Sequence, residues 1–190
     1  MKEFNFYLVS YLPKNIKNEI TKIARVVADK FDTHTFINSW EPHLTVWSWL
    51  FVPENKLTEL IDDLQDITYQ LNKTKINIKG IGYIDNLNNL IAKNPYVIFL
   101  NIILTNKLQL IFDTFEKYQK FRKKWYAIKK YSPHVTLAYD DLIKENFEKA
   151  IDFLINNNSK YEFILDNFSI VSYNEKTNRW EEFKKFEFWR

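Results

Sequence analysis

The 190-residue chain contains no cysteine, which excludes a disulfide framework and a thiolate zinc centre. It has two glycines, Gly80 and Gly82, so no phosphate-cradling glycine loop of the Walker or dinucleotide-binding kind can be written along it. Both sit in "KGIGYID", a strand pattern, where glycine marks a bulge or a close approach of backbone. Arginine is scarce, four residues against 23 lysines, which argues against bidentate arginine readout of base edges. No apolar run approaches the roughly 18 residues of a membrane-spanning helix. The opening "MKEFNFYLVSYLPK" carries Glu3, Asn5 and Ser10 and no small-residue cleavage site, so it reads as a strand and not a signal peptide, and a cytoplasmic location is expected.

What is present is apolar and aromatic: 46% hydrophobic residues and 17% Phe, Trp and Tyr. That is ample for one core, and a single domain over residues 1–190 is expected, without an obligate partner and monomeric. The formal charge of +3 permits an anionic ligand without requiring one.

Histidine is rare too, and its distribution is the main signal. Two of the three histidines stand in one frame, "PHLTV" at His43 and "PHVTL" at His134. At this threonine content, threonine two places after two of three histidines is roughly a one-in-a-hundred coincidence. On a strand, residues two apart share a face, so His43 and Thr45 point one way and Leu44 and Val46 the other, as do His134 and Thr136 against Val135 and Leu137. Pro42 and Pro133 suit the first residue of a strand, where no ladder donor is lost. His34, in "FDTHTF", has threonine beside it instead of two away and reads as a surface or loop residue.

The frame recurs inside a longer repeat. Periodicity predicts a strand over Phe4–Leu12, a helix from Pro13 through Phe31, the first motif strand His43–Phe51, a helix over Leu57–Ile67 and the strand "KINIKGIGYID". The same order follows: "YVIFLNIIL" as a buried strand, a helix over Leu108–Phe115, the second motif strand His134–Asp140, a helix over Ile143–Leu154, then "YEFILDNFSIVSY" and a closing strand "FKKFEFW". The histidines are 91 residues apart, as an internal duplication would place them, which divides the chain into pseudo-repeat lobes of about 1–90 and 95–190 with a seam at "DNLNNLIAKNP".

If the lobes are related by an approximate twofold, two imidazoles and two hydroxyls converge on one cleft. That set suits a phosphodiester: one neutral histidine takes a proton, one protonated histidine gives one, and hydroxyls donate to the phosphoryl oxygens. The paired motifs in this strand and helix order resemble the 2H phosphoesterase superfamily, and within it the RNA 2′,3′-cyclic phosphodiesterases also known as 2′-5′ RNA ligases. The resemblance covers nearly the whole chain, from "YLP" through "IKGIGYID" to "FSIVSYN". It implies an α+β fold of two pseudo-symmetric lobes, each an antiparallel sheet with flanking helices, around a central cleft. It also implies cofactor- and metal-independent phosphodiesterase chemistry on a nucleotide or RNA substrate, with His43 and His134 as acid and base and Thr45 and Thr136 on the phosphate. Some members carry a basic residue just past the second motif, where this chain has Ala138 and Tyr139.

Other features admit two readings each. Trp47 and Trp49 continue the His43 side in simple alternation, and either stack a nucleobase or fill the lobe interface. The run "KYQKFRKKWYAIKKY" ends in Lys129, Lys130 and Tyr131 just before the second motif, and is either a solvated helix face or a positive approach for an RNA backbone. Asp140 and Asp141 read as helix N-capping residues and not metal ligands. Nucleotide sequestration without turnover, and 2′-5′ RNA ligation, stand as the alternatives to phosphodiester cleavage.

Overall fold

A computed structural model describes residues 3–85, 94–115, 132–156 and 159–189, apart from the side chains of residues 48 and 49. The segment 117–130, Tyr131 and most of the seam therefore lie outside the described residues, as does the side chain of Trp49. In chain order the elements are β1 (Glu3–Tyr11), α1 (Lys14–Phe31), α2 (Thr35–Ser39), β2 (His43–Pro53), α3 (Leu57–Gln70), β3 (Thr74–Ile84), β4 (Val97–Ile102), α4 (Asn106–Thr114), β5 (His134–Tyr139), α5 (Lys144–Leu154), β6 (Lys160–Leu165), β7 (Asn167–Asn174) and β8 (Arg179–Glu187).

Local chemistry accounts for the helix boundaries. In α1, Ile16, Ile20, Ala24, Val27 and Phe31 recur at helical spacing and are all buried. Asp32 ends the helix in the left-handed region, φ 50°, with its N–H donating to the Ala28 carbonyl, a conformation a short polar side chain tolerates. At α4 the Thr105 hydroxyl accepts from the Leu108 N–H at 3.2 Å, one of the otherwise orphaned donors of a first turn. The short helix α2 falls in "THTFINS", where the sequence predicts only a loop, because five residues are too few for a periodic signal.

The strands form two four-stranded antiparallel sheets, β2-β1-β7-β8 and β5-β4-β3-β6. The repeat is visible in the order: a motif strand, then the first strand of its own half, then a third strand. That third strand comes from the other half of the chain in both sheets, so lobes of residues 1–90 and 95–190 do not coincide with the sheets. A two-stranded hairpin is marginal in water, and exchange of third strands gives each motif strand a sheet that can hold it. The segment "YEFILDNFSIVSY" is correspondingly two strands, with Asp166 alone between β6 in one sheet and β7 in the other. The closing strand also starts earlier than "FKKFEFW", at Arg179.

Helix α3 packs against β8, α4 against β3, and α1 against β5 and α5. One continuous cluster of buried side chains runs through both sheets and these helices. Phe6, Phe112, Phe115, Phe168 and Phe186 are fully buried in it, each contributing about 1.5–3 kcal/mol of transfer free energy. The aromatic edge contacts Phe115–Phe168 at 5.2 Å and Phe168–Phe188 at 4.8 Å tie the end of α4 to the first sheet.

Candidate functional site

The histidine frame is built the same way twice. The residue before a proline is confined to extended backbone, and in both motifs its carbonyl turns back onto the imidazole: Glu41 O lies 2.7 Å from His43 Nδ1, and Ser132 O lies 2.7 Å from His134 Nδ1. A carbonyl can only accept, so Nδ1 carries the hydrogen in both rings and Nε2 presents its lone pair. The Thr45 hydroxyl stands 3.1 Å from His43 Nε2 and donates to it.

Register places the four motif residues on one face of each sheet. Residues opposite one another in an antiparallel pair project to the same side. His43 faces Tyr11 and Thr45 faces Val9, while Leu44 faces Ser10 on the other side. Then the alternation breaks. Thr45 pairs with Val9 but Trp47 pairs with Leu8, so Val46 is the extra residue of a β-bulge. The second motif does the same: Thr136 pairs with Phe99 and Ala138 with Ile98, leaving Leu137 extra. Both bulges fall immediately after the threonine.

The bulge corrects one expectation. Trp47 shares the face of Leu8 and Leu44, is 8% exposed and belongs to the buried core, so it is not available for stacking a base. Strict alternation carried it to the histidine side, and the inserted residue turns it inward. In the second motif Ala138 occupies the equivalent place and is fully buried.

The two motifs are brought together. Strands β2 and β5 meet, and the imidazoles are within electrostatic reach. Burial lowers the His43 pKa to about 4, the bond to the Glu41 carbonyl opposes this, and the charge of a protonated His134 lowers it further. Burial also holds the His134 pKa below its ordinary value, against the Ser132 carbonyl. Both rings are therefore neutral near pH 7.

Around them stand residues that the sequence reading passed over. The Trp40 ring lies 4.7 Å from that of His43 and is stacked on Trp180 at 4.8 Å and 12°. Tyr7 packs edge-on to both tryptophans at 5.1 and 4.7 Å. Tyr11 lies edge-on to His43 at 6.5 Å; burial first, then the Glu41 and Glu182 carboxylates, push its phenol above the usual range, so it stays a donor. On the other side the Phe99 ring lies 4.5 Å from that of His134, and Asn101 faces His134 across the ladder. Asn101 left a legible trace, a single amide inside the apolar run "YVIFLNIIL". Trp180 left none, because only the sheet order brings β8 to the site; Trp40, at the end of α2 and three residues before His43, has no tryptophan counterpart in the second motif to mark it.

Both glycines support this arrangement. Gly80, at φ +75°, lies in the irregular stretch of β3 between Ile78 and Ile81, and any Cβ on Gly82 would run into the Phe99 ring and the Asn101 amide. Asp141 is a capping residue, though for a distant helix: its carboxylate accepts from Thr33 Oγ1 at 2.6 Å and from the N–H groups of His34 and Thr35 at 2.7 and 2.8 Å. Burial raises its pKa, but these bonds outweigh it and hold the carboxyl below its usual range. Asp140, at φ 79°, takes the turn that aims Asp141 at α2. His34 is at the surface, next to Asp32 at 3.7 Å. Among the described residues no three His, Asp or Glu side chains gather as a metal-binding set, and no helix is long and apolar enough to cross a membrane. Lys129, Lys130 and Tyr131 lie outside the described residues.

Solved structures share the fold along the whole chain. A Thermus thermophilus protein, TT0787, superposes with a TM-score of 0.64 at 17% identity over 96% of this chain and 97% of that one. Escherichia coli LigT in complex with 3′-AMP gives 0.62 at 13% identity with both chains fully covered, and a structure described as a phosphoesterase gives 0.58 at 12% identity over 98% and 99%. No curated protein sequence matches the chain. The model of the 2′-5′ RNA ligase superfamily matches residues 12–177, a span holding both histidine motifs and most of the two sheets that present them, and the chain belongs to that superfamily.

Proposed function

We propose that the protein is a phosphodiesterase acting on a nucleotide substrate, a 2′,3′-cyclic phosphate end of RNA, a 2′-5′ oligoadenylate or a cyclic nucleotide, with His43 and His134 as its proton-transfer pair. The observation that carries this reading is the identical clamp on two imidazoles of meeting strands, each with Nδ1 held by the carbonyl two residues back and Nε2 directed elsewhere. A binding protein has no need for two matched, tautomer-fixed rings.

In opening a cyclic phosphate, a water oxygen bonds to phosphorus and the bond from phosphorus to one ribose oxygen breaks. The water proton passes to His43 Nε2, and the departing oxygen receives a proton from His134 Nε2; solvent restores both rings. His43 suits the base role because burial keeps it neutral; on substrate binding the Thr45 hydroxyl turns from His43 Nε2 to the phosphate, which frees that lone pair for the water proton. His134 is the less enclosed ring, and the bound phosphate's charge favours its protonation. Thr45 and Thr136 donate to the non-bridging oxygens as charge grows there. The Trp40–Trp180 stack beside His43 supplies a platform for a base, an interaction worth about 1–3 kcal/mol where bases stack on aromatic side chains. E. coli LigT, which has this fold, has been crystallised with 3′-AMP, a ligand of the same chemical class.

The test is turnover, without added metal and again with chelator, of a 2′,3′-cyclic mononucleotide, a 2′-5′ oligoadenylate, a 3′-5′ cyclic oligonucleotide and RNA ending in a cyclic phosphate. Cleavage of at least one, unchanged by chelator and abolished in His43→Ala and His134→Ala, is expected. Tight binding of a panel member with no turnover would replace catalysis by sequestration, and joining of RNA ends in place of cleavage would replace it by ligation.

A further inference from the structure

Next to the histidine site, between α1, α2 and the start of β8, lies a cavity of about 460 Å³. Lys14, Lys17, Arg25 and Arg179 line it, with Glu41 as its one carboxylate. Lys17 is paired with Glu41 at 2.6 Å, and Arg179 reaches the Trp40 carbonyl at 3.5 Å. Lys14 and Arg25 have no anionic partner among the described residues. Four cations around one small volume repel one another; Glu41 offsets Lys17 and Glu181, outside the lining, offsets Arg179, which leaves Lys14 and Arg25. The rest of the wall includes Phe36 and Trp40, so the cavity offers aromatic surface beside positive charge.

From this we infer that the cavity is a binding site for a phosphate-bearing ligand, separate from the histidine pair. Phosphate takes charge-assisted hydrogen bonds from Lys and Arg, and the volume falls in the range of small-molecule sites. The wall is shared with the histidine site. Trp40 lines the cavity and packs against His43, and the Glu41 backbone carbonyl holds His43 Nδ1 while its carboxylate holds Lys17. A phosphate that draws Lys17 away from Glu41 acts on the residue that fixes the base. The phosphate belongs either to a flanking nucleotide of the oligonucleotide being cleaved, which presumes the proposed function, or to a free phosphorylated compound, which does not.

Calorimetric titration with inorganic pyrophosphate compares wild type with the double variant Lys14→Glu, Arg25→Glu. Both positions are exposed on α1 and outside the histidine site. The expected result is one bound equivalent fewer in the variant, at an unchanged melting temperature; should charge reversal unfold the chain, Arg25→Gln is read for weaker pyrophosphate binding. In parallel, KM is measured for a cyclic mononucleotide and for an oligonucleotide ending in a cyclic phosphate. A rise of about tenfold for the oligonucleotide alone assigns the site to a flanking phosphate. Loss of the pyrophosphate equivalent with both KM values unchanged assigns it to a free compound. If neither substrate turns over, calorimetry still decides the site, and it is the proposed function that fails. Pyrophosphate binding and KM values equal to wild type would overturn the inference.

Discussion

At the scale of single residues, two neutral imidazoles give the site its pH behaviour. On the proposed roles His43 must be unprotonated and His134 protonated in the free protein, so kcat/KM rises with pH through the His43 pKa of about 4 and falls above that of His134, which burial holds below its ordinary value. We predict an optimum of kcat/KM below pH 6.5, with that of kcat displaced upward because bound phosphate favours the imidazolium. A kcat/KM optimum above pH 7 would contradict the assignment. Stability carries the same sign. With the folded pKa of His43 depressed to about 4, the unfolded chain binds the extra proton, so stability is full above about pH 6.5 and falls as pH drops toward 4. The loss from this one group is about 3 kcal/mol at ~1.4 kcal/mol per pKa unit, and His43→Asn should remove most of it in denaturant titrations at pH 7 and pH 4.5. Trp40→Ala should raise KM about tenfold for a base-bearing substrate, with a smaller effect on kcat, if the Trp40–Trp180 stack holds the base.

At the scale of elements, the paired bulges and the exchanged third strands hold the rings in place. Gly82→Ala should force the Phe99 ring and the Asn101 amide off their seats and so tilt His134. Its turnover should fall further than its melting temperature suggests. Gly80→Ala is the comparison: it meets nothing within 4 Å but is strained at φ +75°, at a cost of about 1–2 kcal/mol, and should lower stability with little effect on turnover by the folded fraction. Asp141→Ala removes the cap of a helix from the other half of the chain. Caps of this kind contribute about 0.5–2 kcal/mol, and hydrogen exchange at residues 34 and 35 should quicken. The sequence revealed the long elements because their apolar periods are regular, as in Ile16, Ile20, Val27 and Phe31 of α1. It concealed α2, whose single turn depends on a carboxylate more than a hundred residues away. Trp47 was misplaced because one inserted valine reverses the alternation at that point of its strand, until a second register shift between Trp47 and Leu50 restores it.

At the scale of the whole molecule, the repeated frame pointed to the proposed chemistry while the sheet order decided what surrounds it. His43, Thr45, His134 and Thr136 were legible because each motif is local and the two bulges begin only after the threonines. Trp180 was not, because it reaches the site through pairings between the ends of the chain: β1 joins β2 to β7, and β7 brings in β8; Trp40, just before the first motif, and Tyr11, opposite His43 on β1, belong to no repeated frame that would mark them. Exchange of strands between halves also means that neither half contains its own sheet, so the two motifs should unfold together. The central claim, that two histidines from the two halves act as one unit, is tested most directly by turnover of the best cyclic-phosphate substrate in His43→Ala, His134→Ala and the double variant. Each single change should cost about 10²–10⁴ in kcat/KM, and the double variant should be no more than a few-fold worse than the poorer single one, because removing either end of the proton transfer disables it. A double loss equal to the product of the two single losses, or a single variant with wild-type turnover, would contradict the account.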